Sequence, residues 1–251
     1  MLSYSEFGDG DGPPVLIVHG LFGSGRNWGV IAKRLSDLRR TVIVDMRNHG
    51  ASDWMAPHDY PAMATDLADV IAHIGGVADV IGHSMGGKAA MVLAATQPDL
   101  LRRLIVADIA PVAYTHTQSG MIEAMRAVDL SAVEARADAD AQLAPHVSEP
   151  GIRAFLLQSL DVRGKTWRLN LDQLDADMPS IIGFPTLRGR FDGPVLMLSG
   201  AESDYVRPDH RPIIKDLFPK ARFAKLPGAG HWLHADKPRE FEAACRAFLD
   251  A

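Results

Sequence analysis

The stretch Gly82-His83-Ser84-Met85-Gly86-Gly87 follows a short apolar run, Asp79-Val80-Ile81, and precedes an apolar helical stretch from Ala89 to Ala95. This order predicts a strand, a tight turn and a helix, the context in which Gly-x-Ser-x-Gly forms a nucleophile elbow. The outer glycines fit because side chains in so tight a turn would clash with the neighbouring strand and helix. Ser84 is therefore the candidate nucleophile, and the Met85 N–H, at the helix N-terminus, is a candidate oxyanion donor.

Short β-branched runs recur on both sides of this motif. Continuous apolar runs of this length are typical of strands buried on both faces, which belong to a mainly parallel sheet covered by helices. The sequence therefore predicts an α/β fold with helices on both faces of the sheet. The predicted strands are Val15–Val18, Thr41–Val44, Asp79–Ile81, Leu104–Val106, Val195–Leu198 and Arg222–Leu226.

Apolar residues at helical spacing predict helices over Pro61–Gly75, Glu240–Leu249 and Arg26–Leu38. From residue 112 to residue 190 the strand signal disappears and helical spacing takes over. This change predicts a helical cap, or lid, at 112–190, inserted into a core made of residues 1–111 and 191–251. The single cysteine, Cys245, falls in the last of these helices and is expected to be a small buried apolar residue.

Composition excludes several classes of protein. The chain has 251 residues, 47% of them hydrophobic and 23% charged, which is ordinary for a globular domain. The net charge is -5, and Lys and Arg cluster no further than adjacent pairs, so a nucleic-acid partner is not expected. We find no apolar stretch of membrane-spanning length and no signal-peptide pattern, so we expect a cytoplasmic protein without a membrane partner. The oligomeric state stays open.

Two further loops follow predicted strands. His19-Gly20-Leu21-Phe22-Gly23-Ser24 comes directly after the first apolar strand, where the second oxyanion donor is expected. We assign that donor to the Leu21 N–H, with Phe22 as the neighbouring alternative and His19 as a loop brace. Gly228-Ala229-Gly230-His231-Trp232 follows the last predicted strand, and His231 is the candidate general base. His234 has no companion ligands at metal-binding spacing, so neither a metal nor a cofactor is expected.

The sequence resembles the α/β-hydrolase superfamily over nearly its whole length. More narrowly, it is similar to the small YbfF-type bacterial esterases and their mitochondrial relatives. The resemblance implies an α/β-hydrolase fold and ester hydrolysis. Besides the His19–Ser24 loop, it is carried by Asn27-Trp28, Asp45 to Ser52, Gly82 to Lys88, and Asp108-Ile109-Ala110-Pro111-Val112.

The acid that would complete a Ser-His-Asp triad has two candidates. In most α/β hydrolases it follows the strand that corresponds to Val195–Leu198, and Asp204 lies there. In the esterases that this chain resembles, it follows the strand after the elbow, where Asp108 stands. That group usually has Ser but no Asp in the segment matching 200–206, so Asp204 departs from its pattern. The acid's task is to hold the imidazole tautomer, and a carboxylate at either sheet edge could do this. We therefore favour Asp108, the position used in the esterases that this chain resembles.

The remaining motif residues are interpreted as scaffold. Gly50 is expected to have a positive φ, and Lys88 is expected to be solvated. The polar loop after the second apolar strand needs partners for its backbone groups. Its polar residues are Asp45, Arg47, Asn48, His49 and Ser52.

The function predicted from these residues is a serine esterase acting on small-molecule acyl esters or thioesters through an acyl-enzyme. The cap is expected to line the acyl pocket. The candidate pocket residues are Phe22, Met121, Met125, Phe155 and Trp167. One alternative is a lyase or C–C hydrolase of the menaquinone-pathway type, with Lys88 and Arg47 clamping a polyanion. The other is a ligand-binding protein that keeps the triad and turns over slowly.

Overall fold

A computed structural model describes residues 1–37 and 39–251. Its strands form one seven-stranded sheet and one two-stranded hairpin. They are β1 (Tyr4–Phe7), β2 (Val15–Val18), β3 (Thr41–Val44), β4 (Ala78–His83), β5 (Leu101–Ala107), β6 (Leu160–Asp161), β7 (Thr166–Trp167), β8 (Val195–Gly200) and β9 (Ala221–Leu226). The large sheet has the order β1-β3-β2-β4-β5-β8-β9, and β6 pairs with β7.

All neighbouring strands of the large sheet are parallel, except that β1 runs antiparallel to β3 at one edge. The predicted α/β fold with a mostly parallel sheet is therefore confirmed, and each of the six predicted strands overlaps an observed one. The sequence prediction missed β1. That strand reads Tyr-Ser-Glu-Phe and is half exposed, so it lacks the continuous apolar run of a central strand.

The helices are α1 (Gly29–Leu35), α2 (Tyr60–Ile74), α3 (Met85–Thr96), α4 (Ser119–Arg126), α5 (Arg136–Leu143), α6 (Pro150–Leu156), α7 (Leu171–Ala176), α8 (Met178–Ile182), α9 (Arg211–Leu217), α10 (Leu233–Asp236) and α11 (Pro238–Leu249). The helix predicted from Arg26 is shorter than expected. A 3-10 turn over Gly25–Trp28 precedes α1, which ends at Leu35, and Leu38 lies outside the described residues.

Helix α2 shows why these boundaries form. The Asp59 side chain accepts a hydrogen bond from the Ala62 N–H at the start of the helix, and Pro61 lies in the first turn, where its missing N–H costs nothing. The helix ends at Gly75, whose φ of 140° is unfavourable for residues with a side chain.

Alternate residues of each central strand point to opposite faces of the sheet. On one face, Leu16 and Val18 of β2 pack in the same cluster as α2 and α3. On the other, Val15 and Ile17 pack in the cluster that contains α1 and α11. Cys245 of α11 is fully buried there, as predicted. Helices thus cover both faces, and none of the described helices is long and apolar enough to cross a bilayer.

The chain between β5 and β8 forms α4 to α8 and the β6–β7 hairpin; we call residues 112–190 the cap. A purely helical cap was expected, but a hairpin with two paired residues in each strand is too short to leave a period-two pattern. The segment after β7 pairs with the loop after β3. The Gly50 N–H donates to the Arg168 carbonyl oxygen at 2.8 Å, and the Asn170 N–H donates to the Asn48 carbonyl oxygen at 3.0 Å. These two bonds flank a bridge between His49 and Leu169.

Candidate active site

The turn between β4 and α3 holds Ser84 in a strained backbone conformation, with φ 51° and ψ -119°. Such conformations cost on the order of 1–3 kcal/mol and are tolerated where the surroundings impose them. Here the close packing of the turn imposes it. A methyl group on Gly86 would lie 2.5 Å from the His19 carbonyl oxygen, and one on Gly82 would lie 2.6 Å from the Gly86 carbonyl oxygen. Only glycine fits at these two positions, so they mark the turn in the sequence.

The side chains of Ser84, His231 and Asp108 form a hydrogen-bonded chain. His231 Nε2 lies 3.1 Å from Ser84 Oγ, and His231 Nδ1 lies 2.8 Å from Asp108 Oδ2. A carboxylate only accepts, so Nδ1 carries the proton and Nε2 is free to accept one from the serine hydroxyl. The imidazole is therefore in the tautomer that a general base requires.

Asp108 is the carboxylate that contacts His231, and its side chain is fully buried. It also accepts hydrogen bonds from the Gly200 N–H, at 3.1 Å, and from the Ser203 hydroxyl. These two donors hold the carboxylate in the orientation in which Oδ2 contacts His231. Asp204, the alternative acid, is exposed to solvent. Its neighbour Ser203 thus reaches the site, and the segment that carries Asp204 supplies donors to Asp108.

The loop that carries His231 is held from two sides. The His83 Nε2–H donates to the His231 carbonyl oxygen at 2.9 Å, and the Tyr205 ring stacks on the imidazole with centroids 4.0 Å apart. Complete burial lowers the pKa of His83 well below its ordinary value, so this ring stays neutral. This role of His83 was not predicted from the sequence. Its position directly before Ser84 in the Gly-x-Ser-x-Gly motif was the only available signal. His234 stacks on Trp28 at 3.9 Å.

Among the backbone N–H groups near Ser84, those of Leu21 and Met85 have no acceptor in the described part of the chain. Both residues line the same cavity as Ser84. Phe22, the neighbouring candidate, uses its N–H differently, donating to His49 Nε2 at 3.2 Å. It has a φ of 62°, which turns the chain directly after Leu21.

His49 is therefore the residue that fixes the turn behind Leu21. Its Nδ1–H donates to the Arg47 carbonyl oxygen at 2.9 Å, which leaves Nε2 as the acceptor for Phe22. Burial lowers the pKa of His49 well below its ordinary value, and the neutral form that can accept persists. His19 braces the base of the same loop: its Nδ1 bonds the Gly20 carbonyl oxygen and its Nε2 accepts from the Met46 N–H.

The side chains of the scaffold loop after β3 form hydrogen bonds with backbone groups inside and outside the loop. The Asp45 carboxylate accepts from the Gly25 N–H at 2.7 Å and the Ala51 N–H at 2.8 Å. Gly50 has a φ of 59°, as predicted. Arg47 binds both oxygens of the Asp66 carboxylate, at 2.6 and 2.8 Å, and two carbonyl oxygens as well.

Lys88 differs from the sequence prediction. It was expected to be solvated, but it is only 1% exposed and lies against the cavity next to Ser84. Its place in α3, a helix that packs on the sheet under the cap, buries it. Burial lowers its pKa to about 7, because the ammonium form loses its hydration.

A cavity of about 500 Å³ lies between the core and the cap, and Ser84 and His231 are on its wall. That volume is in the range of small-molecule sites. Phe22, Met121 and Phe155 line it, as the sequence analysis expected. Met125 and Trp167 were expected there too, but they lie in the interior of the cap: Met125 is fully buried, and the Trp167 indole N–H donates to the Met125 carbonyl oxygen at 3.0 Å. The helical spacing correctly predicted that Met125 is buried, but Met125 is buried inside the cap and not at the cavity wall.

A serine on a strand–helix elbow, with an acid and a histidine at the same edge of a mostly parallel sheet, defines the class of α/β hydrolases. A family described as alpha/beta hydrolase fold matches residues 13–238, and the chain belongs to it.

Named relatives fall in the same class. The sn-1-specific diacylglycerol lipase ABHD11 of Mus musculus is 44% identical over 260 residues, which cover 99% of this chain and 85% of that protein. Esterase YbfF of Escherichia coli strain K12 is 41% identical over 239 residues, covering 94% and 93%. A solved marine microorganism esterase superposes with a TM-score of 0.93 at 36% identity and covers 98% of each chain. The predicted resemblance to YbfF-type esterases is confirmed.

Proposed function

We propose that the protein is a serine carboxylic-ester hydrolase in which Ser84 is the nucleophile, His231 the general base and acid, and Asp108 the residue that orients His231. The observation that carries this proposal is the continuous Asp108–His231–Ser84 hydrogen-bonded chain, whose Ser84 and His231 lie on the wall of a largely apolar cavity. The relatives named above support ester hydrolysis as the reaction.

In the proposed reaction, His231 Nε2 takes the Ser84 proton as Oγ attacks the ester carbonyl carbon. The negative charge that develops on the carbonyl oxygen is stabilised by the Leu21 and Met85 N–H groups, which have no other acceptor among the described residues. Asp108 stabilises the imidazolium. His231 then protonates the departing alcohol, and an acyl-Ser84 ester remains.

The second half of the reaction repeats these roles with water. His231 takes a proton from a water molecule, the hydroxyl attacks the acyl carbon, and Ser84 Oγ regains its proton from His231. The same sequence serves thioesters, with a thiol as the departing group. We expect small-molecule acyl substrates, and the cytoplasmic location remains a prediction.

The test is Ser84→Ala assayed with p-nitrophenyl butyrate, with Ser5→Ala as the matched control, since Ser5 is exposed on the edge strand. Loss of a triad nucleophile costs on the order of a million-fold in kcat. We expect no measurable turnover by Ser84→Ala, unchanged turnover by the control, and a mass increase of one acyl group on the wild-type protein after rapid quenching. A folded Ser84→Ala variant with a few per cent of wild-type activity would exclude the mechanism.

The lyase or C–C hydrolase alternative required Lys88 and Arg47 to clamp a polyanion. The Arg47 guanidinium is buried, binds both oxygens of Asp66 and two carbonyl oxygens, and does not line the cavity. A slow-turnover binding protein remains the second candidate, because hydrolase-fold receptors can share the same triad. Turnover number separates the two: product release that stops near one equivalent per protein would favour the binding protein. A panel of p-nitrophenyl esters and acyl-CoA thioesters of graded length makes that measurement.

A further inference from the structure

Lys88 is a buried ionisable residue that has no role in the proposed reaction. It lies one helical turn after Ser84 in α3, is 1% exposed, and lines the same cavity. Fully buried lysines are rare unless they are paired, because removing an ammonium from water costs several kcal/mol. Among the described residues no carboxylate lies within the 4.0 Å of an ion pair with Lys88.

The surroundings of Lys88 are polar but uncharged. Its Nζ donates to the Ile182 and Gly183 carbonyl oxygens, at 3.0 and 2.5 Å, where helix α8 ends. The ring centroids of Tyr114 and Tyr60 lie 4.7 and 5.6 Å from the same atom. An ammonium has three N–H donors, and the third has no acceptor among the described residues.

The two tyrosines cannot supply that acceptor, because their hydroxyls are occupied. The Tyr60 hydroxyl donates to the Ile181 carbonyl oxygen at 2.5 Å. The Tyr114 hydroxyl donates to the Tyr205 carbonyl oxygen at 2.7 Å and accepts from the Ala110 N–H at 2.9 Å. The rings are therefore fixed with their faces toward the ammonium, a geometry that favours a cation.

We propose that Lys88 makes the inner wall of the cavity a carboxylate-binding subsite, so that the preferred acyl groups carry a second, terminal carboxylate. The proposal rests on the esterase function above and names its substrate class: monoesters of short dicarboxylic acids. A carboxylate would accept the third N–H and provide the missing counter-charge inside the protein, where a charge-assisted hydrogen bond is strong. Because Ser84 and Lys88 are only about one helical turn apart, a rise of about 5.4 Å, we take short diacids of roughly four to six carbons as the acyl groups to test.

A purely structural role is the competing explanation. Lys88 could serve only to tie the end of α8 to α3 through its two carbonyl contacts. The two roles differ in selectivity. A tie between cap and core affects every substrate to the same extent, whereas a subsite acts on the charged acyl group alone.

The experiment compares two substrates of equal length, mono-p-nitrophenyl glutarate and p-nitrophenyl valerate, through the ratio of their kcat/KM values. We expect the wild type to hydrolyse the glutarate at least as well as the valerate. Lys88→Met, which keeps the length of the side chain and removes its charge, should lower the ratio at least tenfold. Lys88→Arg should retain most of the ratio, and Lys220→Met, at an exposed lysine, serves as the matched control.

Two results would overturn the subsite. One is a wild type that prefers the neutral valerate by more than tenfold, a result that needs no variant and is independent of folding. The other is a Lys88→Met variant whose ratio stays within a factor of three of the wild type, as a structural tie predicts. In both cases hydrolysis of valerate that depends on Ser84 leaves the proposed esterase function intact, while hydrolysis that survives Ser84→Ala contradicts that function instead.

Discussion

The core and the cap form opposite walls of one cavity, and they hold their residues in place by different means. On the core side, strand ends and forced backbone conformations position residues of the proposed triad: Ser84 and Asp108 both have positive φ, at 51° and 52°. On the cap side, short helices position side chains through packing, and Met121 lines the cavity while Met125, one turn later, is buried away from it. Backbone constraints require particular residue types, such as glycine, and can therefore be recognised in a sequence. The packing of interchangeable apolar residues has no such requirement and cannot.

The largest effect that tests this comparison concerns the acid on the core side. Asp108→Asn should keep the geometry but favour the wrong imidazole tautomer, and a loss on the order of 10⁴-fold in kcat is the precedent. Asp204→Asn is the matched control and should change kcat less than threefold, because that carboxylate is exposed. Both are measured with p-nitrophenyl butyrate at the same pH. A reversed ranking would move the orienting role to Asp204.

On the cap side, the pair Met121 and Met125 separates lining from packing. Met125→Ala should lower the free energy of unfolding by about 3 kcal/mol, because it opens a void in the cap interior. Met121→Ala should destabilise less and shift the preferred acyl length upward, because it enlarges the cavity. Urea unfolding and a series of p-nitrophenyl esters measure the two effects. A change in chain-length preference in Met125→Ala alone would show that the cavity extends into the cap.

His49 tests how far core positioning depends on side chains behind the backbone. His49→Ala leaves the Phe22 N–H without its acceptor, and the turn that presents Leu21 loses its brace. We expect kcat to fall on the order of tenfold to a hundredfold, less than the full loss of an oxyanion donor, with KM changed little. His146→Ala, at an exposed histidine of the cap, is the control. A change confined to KM would assign His49 to substrate binding instead.

The smallest effect is a pH dependence of stability at Lys88. Its folded pKa is lowered to about 7 from 10.5, so the unfolded chain binds the proton more tightly. Stability therefore rises with pH between these values, and the cost of the buried charge is fully present below pH 7. Between pH 7 and pH 8 the wild type should gain about 1 kcal/mol relative to Lys88→Met in urea unfolding. Parallel curves for the two proteins would mean that the folded lysine keeps its ordinary pKa.

The central strands, the elbow and the histidine loop could be predicted because apolar runs and close-packed glycines are local signals. Asp108 was favoured over Asp204 only through the family resemblance, because the local residue pattern left both open for a physical reason. Strands β5 and β8 are neighbours, with Ala107 opposite Leu198, so both residues follow strands that end side by side. Which carboxylate turns inward depends on backbone conformation after the strand.

The burial of Lys88 was missed for a related reason. Residue type predicts the average exposure of a lysine, and averages fail where a cap covers the side chain. The position of Lys88 in a helix could be predicted from the sequence. The carbonyl oxygens that accept its hydrogen bonds, however, belong to residues 182 and 183, far along the chain. Long-range acceptors of this kind have no local pattern.

The pairing between residues 48–50 and 168–170 connects the core wall of the cavity to the cap wall. His49 is bridged to Leu169 of the cap and at the same time accepts a hydrogen bond from the N–H of Phe22, the residue after Leu21. A displacement of the cap segment therefore acts on the loop that presents Leu21. By thermodynamic linkage, a ligand that favours one position of the cap changes the stability of the matching loop arrangement by the same free energy. A ligand in the cavity that shifts residues 168–170 would therefore also act, through His49, on the loop that carries Leu21.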